Sequence, residues 1–173
     1  RSLIGDALTS RKFERILPFR FIAATQHAPE LEPALEVGML RALAGEKYLG
    51  GTTLLVLDVS GSMKEPLAKK STLNRIDAAC GLAILVREVA ESVSVYATAG
   101  NDSTVKHATA AIPARQGFAL RDAIQMAAEK LGGGGIFLVQ CMDAIAGREP
   151  QPFTRVIVLT DEQDCDVGGR GGA

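Results

Sequence analysis

Asp58, Ser60 and Ser62, in the run Asp58-Val59-Ser60-Gly61-Ser62, are the residues best equipped for chemistry, together with Asp161 far along the chain. A tight loop with a carboxylate and two hydroxyls at alternate positions can turn all three toward one point. Gly61 gives the backbone freedom to make that turn. An all-oxygen set, part neutral and part anionic, suits a hard cation such as Mg²⁺ or Mn²⁺. The same residue types also serve as helix N-caps, accepting hydrogen bonds from free backbone N–H groups. Placement favours the cation: Asp58 and Asp161 each follow one of the two most apolar stretches, residues 53–57 (TLLVL) and 155–160 (RVIVLT).

These stretches lack alternation and are bounded by glycines and carboxylates, as strands buried on both faces are. Between them the spacing of Ile76, Ala79, Cys80, Ala83, Val86 and Ala90 predicts a helix. Residues 92–98 (SVSVYAT) read as a second strand, and residues 104–112 as a short edge strand ended by Pro113. Residues 119–131 and 137–146 read as helices around a flexible glycine loop at 132–135. Strands alternating with helices predict an α/β fold with a doubly wound, mostly parallel sheet. In such sheets ligands bind beyond the carboxyl ends of the strands, where both aspartates lie.

Residues 1–48 read differently, as a short all-helical segment. Leu31, Ala34, Leu35, Gly38, Met39, Ala42 and Leu43 recur at helical spacing within residues 30–44, with Pro29 in the first turn and Gly45 closing the helix. Residues 11–17 look like the end of an earlier helix, with residues 18–21 as the connection. Gly50-Gly51 marks a boundary. This gives two parts, 1–48 and 50–173.

With 173 residues, 47% of them hydrophobic and 23% charged, the chain can fill a core. The net charge of −1 argues against nucleic acid held by bulk charge alone. Locally, Arg1, Arg11, Lys12, Arg15 and Arg20 outweigh Asp6 and Glu14, so Arg11, Lys12, Arg15 and Arg20 are candidate phosphate contacts, with a solvated helix face as the alternative. Lys64, Lys69 and Lys70, beside the serine loop, could steer RNA or an acidic partner. Cys80, Cys141 and Cys165 show no CxxC or CxxH spacing, which predicts a reduced, cytoplasmic chain without zinc. No apolar run approaches the roughly 18 residues that span a bilayer, so no membrane partner is expected. The first residue is Arg1 and the last six are GGRGGA, which reads as a piece of something longer.

Residues 55–63 (LVLDVSGSM) resemble the metal-ion-dependent adhesion site of von Willebrand factor A domains. In order, residues 17–39 (LPFRFIAATQHAPELEPALEVGM), 55–63, 75–79 (RIDAA), 117–124 (GFALRDAI) and 159–163 (LTDEQ) resemble the Ro/TROVE family of RNA-binding proteins. This resemblance implies that residues 1–48 are the last helices of a helical-repeat ring and residues 50–173 an A domain. It implies non-coding RNA as a partner, mainly through the ring, and a protein partner with an acidic group at the metal. Asp58, Ser60, Ser62 and Asp161 match the family's metal residues. The second metal loop departs from the pattern, because Ile136 in Gly134-Gly135-Ile136 stands where a threonine hydroxyl is expected. A domains also continue into a further strand and helix, so an open sheet edge, or one covered by a second chain, is expected.

The acidic run Asp161, Glu162, Asp164 and Asp166 lacks the glycine and bidentate glutamate of a calcium loop, so beyond Asp161 it reads as a solvated loop. The glycine loop is not a phosphate loop, since no Lys-Ser/Thr follows. His27 and His107 have no nearby nucleophile pattern, and the site offers no general base besides its own ligands. These features argue against catalysis, and the Ro/TROVE resemblance implies a non-enzymatic RNA-binding component. The alternative is a protein–protein adaptor without RNA.

Overall fold

The apolar run at 53–57 becomes the centre of β1 (Leu49–Asp58), in which Leu54, Leu55, Val56 and Leu57 are all buried. Each such side chain contributes about 1.5–3 kcal/mol when taken from water. The computed structural model describes residues 3–10, 13, 16–45 and 48–166. Three helices precede β1: α1 (Leu3–Ser10), α2 (Pro18–His27) and α3 (Glu32–Leu43). After it come α4 (Arg75–Val89), β2 (Ala90–Asn101), β3 (Lys106–Ile112), α5 (Gly117–Lys130), α6 (Leu138–Ala146) and β4 (Arg155–Leu159).

The sheet order is β3-β2-β1-β4, with β1 parallel to both neighbours and β3 antiparallel to β2. This is the expected α/β class, a mixed and mostly parallel sheet preceded by helices. Period-two alternation divides β1 between two cores. Leu55 and Leu57 face the larger core with α2, α3, α4 and α5, while Leu54 and Val56 meet Tyr96, Cys141 and Ile145 beneath α6. Among the described residues β4 pairs only with β1, so it forms an edge of the sheet.

Three local expectations need correction. Residues 18–21 are not a connection: they open α2, because Pro18 at the first helical position fixes φ and lacks only an N–H that would be unpaired anyway. The earlier helix ends at Ser10, and of the segment once assigned to its end, Arg11, Lys12, Glu14 and Arg15 lie outside the described residues. Gly50 and Gly51 are no boundary, since they sit inside β1 at a register shift, with Gly51 at a φ of 85°. Such a bulge needs a residue that tolerates positive φ.

The helices are joined to the sheet domain by both apolar and polar contacts. Phe21, Leu35 and Met39 lie in the same core as Leu55 and Leu57. Arg121 of α5 donates to both oxygens of Glu32 (3.2 and 3.3 Å), and its guanidinium stacks 4.5 Å over the Phe118 ring. The Phe118 N–H donates to Glu36 at 2.7 Å, and Gln26 donates to Asp77 at 3.3 Å.

Candidate metal centre

Asp58 ends β1 opposite Thr98, and Leu57 pairs with Leu159 of β4. The segments leaving β1 and β4 therefore emerge side by side, which brings Thr160 and Asp161 next to the serine loop. Asp58 is buried, and both of its oxygens are engaged. Oδ1 accepts the Ser60 N–H at 2.8 Å and Oδ2 accepts the Thr160 hydroxyl at 2.8 Å. Asp58 thus shapes the loop from inside and ties it to the end of β4.

The two serines keep their hydroxyls for each other, Oγ to Oγ at 3.3 Å. Ser60 precedes a single 3-10 turn, Gly61–Lys64, yet its side chain makes no capping hydrogen bond there. The capping alternative therefore does not account for the serines. Gly61 is required by a close approach: its N–H donates to the Gly133 carbonyl at 3.2 Å, and a Cβ there would stand 2.6 Å from that oxygen. The loop at 132–135 is thus not merely a flexible connection. Its backbone is packed against the serine loop, and Asp102 accepts the Gly135 N–H at 2.9 Å.

Asp161 is engaged on one oxygen only. Oδ2 accepts from Arg75 Nη1 at 2.6 Å and from Gln163 at 3.4 Å. Oδ1 is buried and has no hydrogen-bond partner among the described residues. The same Arg75 nitrogen donates to the Ser62 carbonyl at 3.1 Å, so one guanidinium bridges the two loops. The start of α4 fixes Arg75 in place. Asn74 accepts the Asp77 N–H at 2.7 Å while Asp77 accepts the Asn74 N–H at 3.1 Å, a reciprocal capping box.

A carboxylate oxygen buried without a donor is costly unless something else satisfies it. Two serine hydroxyls and Asp161 Oδ1 are donors of the kind a hard cation takes, so these residues fit Mg²⁺ or Mn²⁺ in chemistry. Among the described residues no three His, Cys, Asp or Glu side chains converge to hold a metal, so the serines are essential to any such site. Ile136 brings no oxygen to it. That side chain is buried in the core, and its backbone bridges to Asp164.

Neither the known family models nor the curated proteins yield a match to this chain. A solved structure does. The chain is similar to the crystal structure of the Ro (RSR) protein of Deinococcus radiodurans, with a TM-score of 0.62 and 21% identity. The similarity covers 93% of this chain, helices and sheet alike, and 34% of the Deinococcus chain. It establishes the fold.

The structure also places the remaining candidates. Arg20 is exposed on α2, while Arg11, Lys12 and Arg15 lie outside the described residues. Asp164 and Asp166 are half-buried and hydrogen-bonded rather than freely solvated. Asp164 accepts the Leu138 N–H at 3.2 Å, and Asp166 accepts those of Val139 (2.7 Å) and Gln140 (3.3 Å), so the pair caps α6 from a distant part of the chain. Cys80 is buried, its thiol pushed up to about 12 by that burial. The exposed Cys165 thiol is also raised, by desolvation first and then by Asp102, Asp164, Asp166 and Asp58. Sequence reasoning missed the roles of Arg75 and Thr160. A signal for Arg75 existed in Asn74-Arg75-Ile76-Asp77, where the capping pattern fixes it as the first helical residue.

Proposed function

We propose that this chain belongs to a non-enzymatic, cytoplasmic, Ro-like RNA-binding component, and that its strand ends form a divalent-metal-dependent site for a protein partner. In this reading residues 1–48 end a helical module that contacts RNA, and residues 50–173 carry the partner site. One observation supports the Ro-like reading above all. The segments that carry the resemblance meet one another in space: residues 17–39 touch 75–79 through Gln26–Asp77, and 117–124 through Glu32–Arg121 and Glu36–Phe118. A free-standing adaptor would have no need of that joint.

Asp58, Ser60, Ser62 and Asp161 would hold Mg²⁺ or Mn²⁺. When bound, the ion supplies an electrophilic position for a carboxylate oxygen of the partner. Asp58 keeps the serine loop in shape through the Ser60 N–H and couples it to Thr160. Turnover is not expected, because both Asp58 oxygens are committed and Asp161, the site's other carboxylate, would itself be a ligand.

Two measurements test the proposal. The full-length protein should retard a small structured RNA in a native gel at moderate salt; an unchanged RNA band would remove the RNA role and leave the adaptor reading. Calorimetric titration with Mn²⁺ should give heat that Asp58→Ala abolishes, and heat surviving in that variant would place the ion elsewhere.

A further inference from the structure

Arg75 stands where its charge is least welcome in its own helix. The first turn of a helix carries partial positive charge, which disfavours a cation. Arg75 is the first residue of α4, held there by the Asn74–Asp77 box and by its own N–H on the Glu65 carbonyl at 3.1 Å. Its compensation lies across the site, in Asp161 at 2.6 Å. The Asp161 side chain is nine-tenths buried, with 10% exposed, while Arg75 is 36% exposed. The carboxylate is therefore fixed, and the guanidinium has solvent to move into.

We infer that Arg75 is a built-in counter-ion that a divalent cation must displace from Asp161, giving the strand-end site two exclusive states, arginine-closed and cation-loaded. This deepens the metal reading above and rests on it. Nη1 lies on both the Ser62 carbonyl and Asp161 Oδ2, so the guanidinium spans the gap between the serine loop and the carboxylate. A cation taking Ser60, Ser62 and Asp161 as ligands occupies that gap, and two positive groups repel each other strongly there. Asp161 Oδ1, buried and without a partner among the described residues, is a further oxygen for the ion once the guanidinium has moved. An arginine tolerates departure well, because its guanidinium stays charged and hydrated in solvent. The backbone need not move, since the capping box holds α4 in place through atoms other than the Arg75 side chain.

The test uses the full-length protein and Mn²⁺ alone as probe. Arg75→Gln is expected to bind Mn²⁺ at least tenfold more tightly than the wild type by calorimetry, and Arg75→Lys to stay near the wild type because it keeps the charge. Equal affinity in wild type and Arg75→Gln, with heat still lost in Asp58→Ala, overturns the latch and leaves the metal site standing. No heat in either protein overturns the metal reading itself, and the latch with it. A readout without substitution covers the case in which Arg75→Gln does not fold. In wild-type protein the Arg75 Nε–H NMR signal should shift, and its exchange with water should speed up, on saturation with diamagnetic Mg²⁺. A signal unchanged at saturation overturns displacement.

Discussion

The segments that leave β1 and β4 start alike and end differently. Each carries an aspartate at the carboxyl end of a parallel strand, Asp58 closing the buried β1 and Asp161 two residues past the half-buried edge strand β4, and the two strands lie side by side. Asp58 is satisfied from within the fold, by the Ser60 N–H and the Thr160 hydroxyl. Asp161 is met by the part-exposed Arg75 guanidinium on one oxygen and, among the described residues, by nothing on the other. A carboxylate that organises a loop is thus told from one that waits for a ligand by the partners of its two oxygens, since burial alone does not separate them.

The largest expected effect comes from Asp58→Ala. It strands a buried N–H and a hydroxyl together, and should cost about 3 kcal/mol in urea denaturation, given about 1.5–3 kcal/mol for a hydrogen bond to a charged group. Asp161→Ala should cost only about 1 kcal/mol, because it removes a buried oxygen that has no donor along with the ion pair, and the part-exposed Arg75 is freed to solvent. If the two variants lost equal stability, the distinction between an organising and a waiting carboxylate would collapse.

Further along the β4 segment, Asp166→Ala should cost between those two values or slightly less. Loss of an N-cap is worth about 0.5–2 kcal/mol. Hydrogen exchange should then quicken at Val139 and Gln140 while α5 stays protected; uniform acceleration would mean that the cap is not local.

The smallest effect concerns Cys165. Desolvation first, and then the surrounding carboxylates, hold its thiol above the usual range, so less thiolate is present at any pH below that value, and alkylation should be slower than for an unstructured cysteine peptide. Mn²⁺ or Mg²⁺ bound near Asp58 cancels part of that negative field, lowers the thiol pKa and should speed alkylation. A rate indifferent to saturating Mg²⁺ would detach Cys165 from the site.

The legible parts of this molecule were those written in short-range pattern. The continuous apolar run at 53–57 marked β1 as a buried strand, and the oxygen spacing at 58–62 singled out the loop. The run at 155–160 is also a strand, but it lies at the sheet edge, with Val156 exposed and its neighbours half-buried rather than covered on both faces. Errors arose where one residue type serves opposite ends. Pro18 was read as a break but starts a helix, and Gly50-Gly51 was read as a boundary but forms a bulge. Asp164 and Asp166 looked solvated because the helix that they cap lies earlier in the chain, and no local spacing connects them to residues 138–140.

By itself, the sequence determined the α/β class, the buried strand β1, and an aspartate at the carboxyl ends of β1 and β4, because hydrophobic period and strand-end chemistry are properties of neighbouring residues. Tertiary structure alone decided that Thr160 binds Asp58, that the Gly133 carbonyl closes on Gly61, and that Arg75 claims one oxygen of Asp161 while the other is left bare. Each of those contacts joins distant segments through a single hydrogen bond. Such bonds leave no periodic trace along a chain, and they become specified only once parallel pairing has set the strand ends side by side.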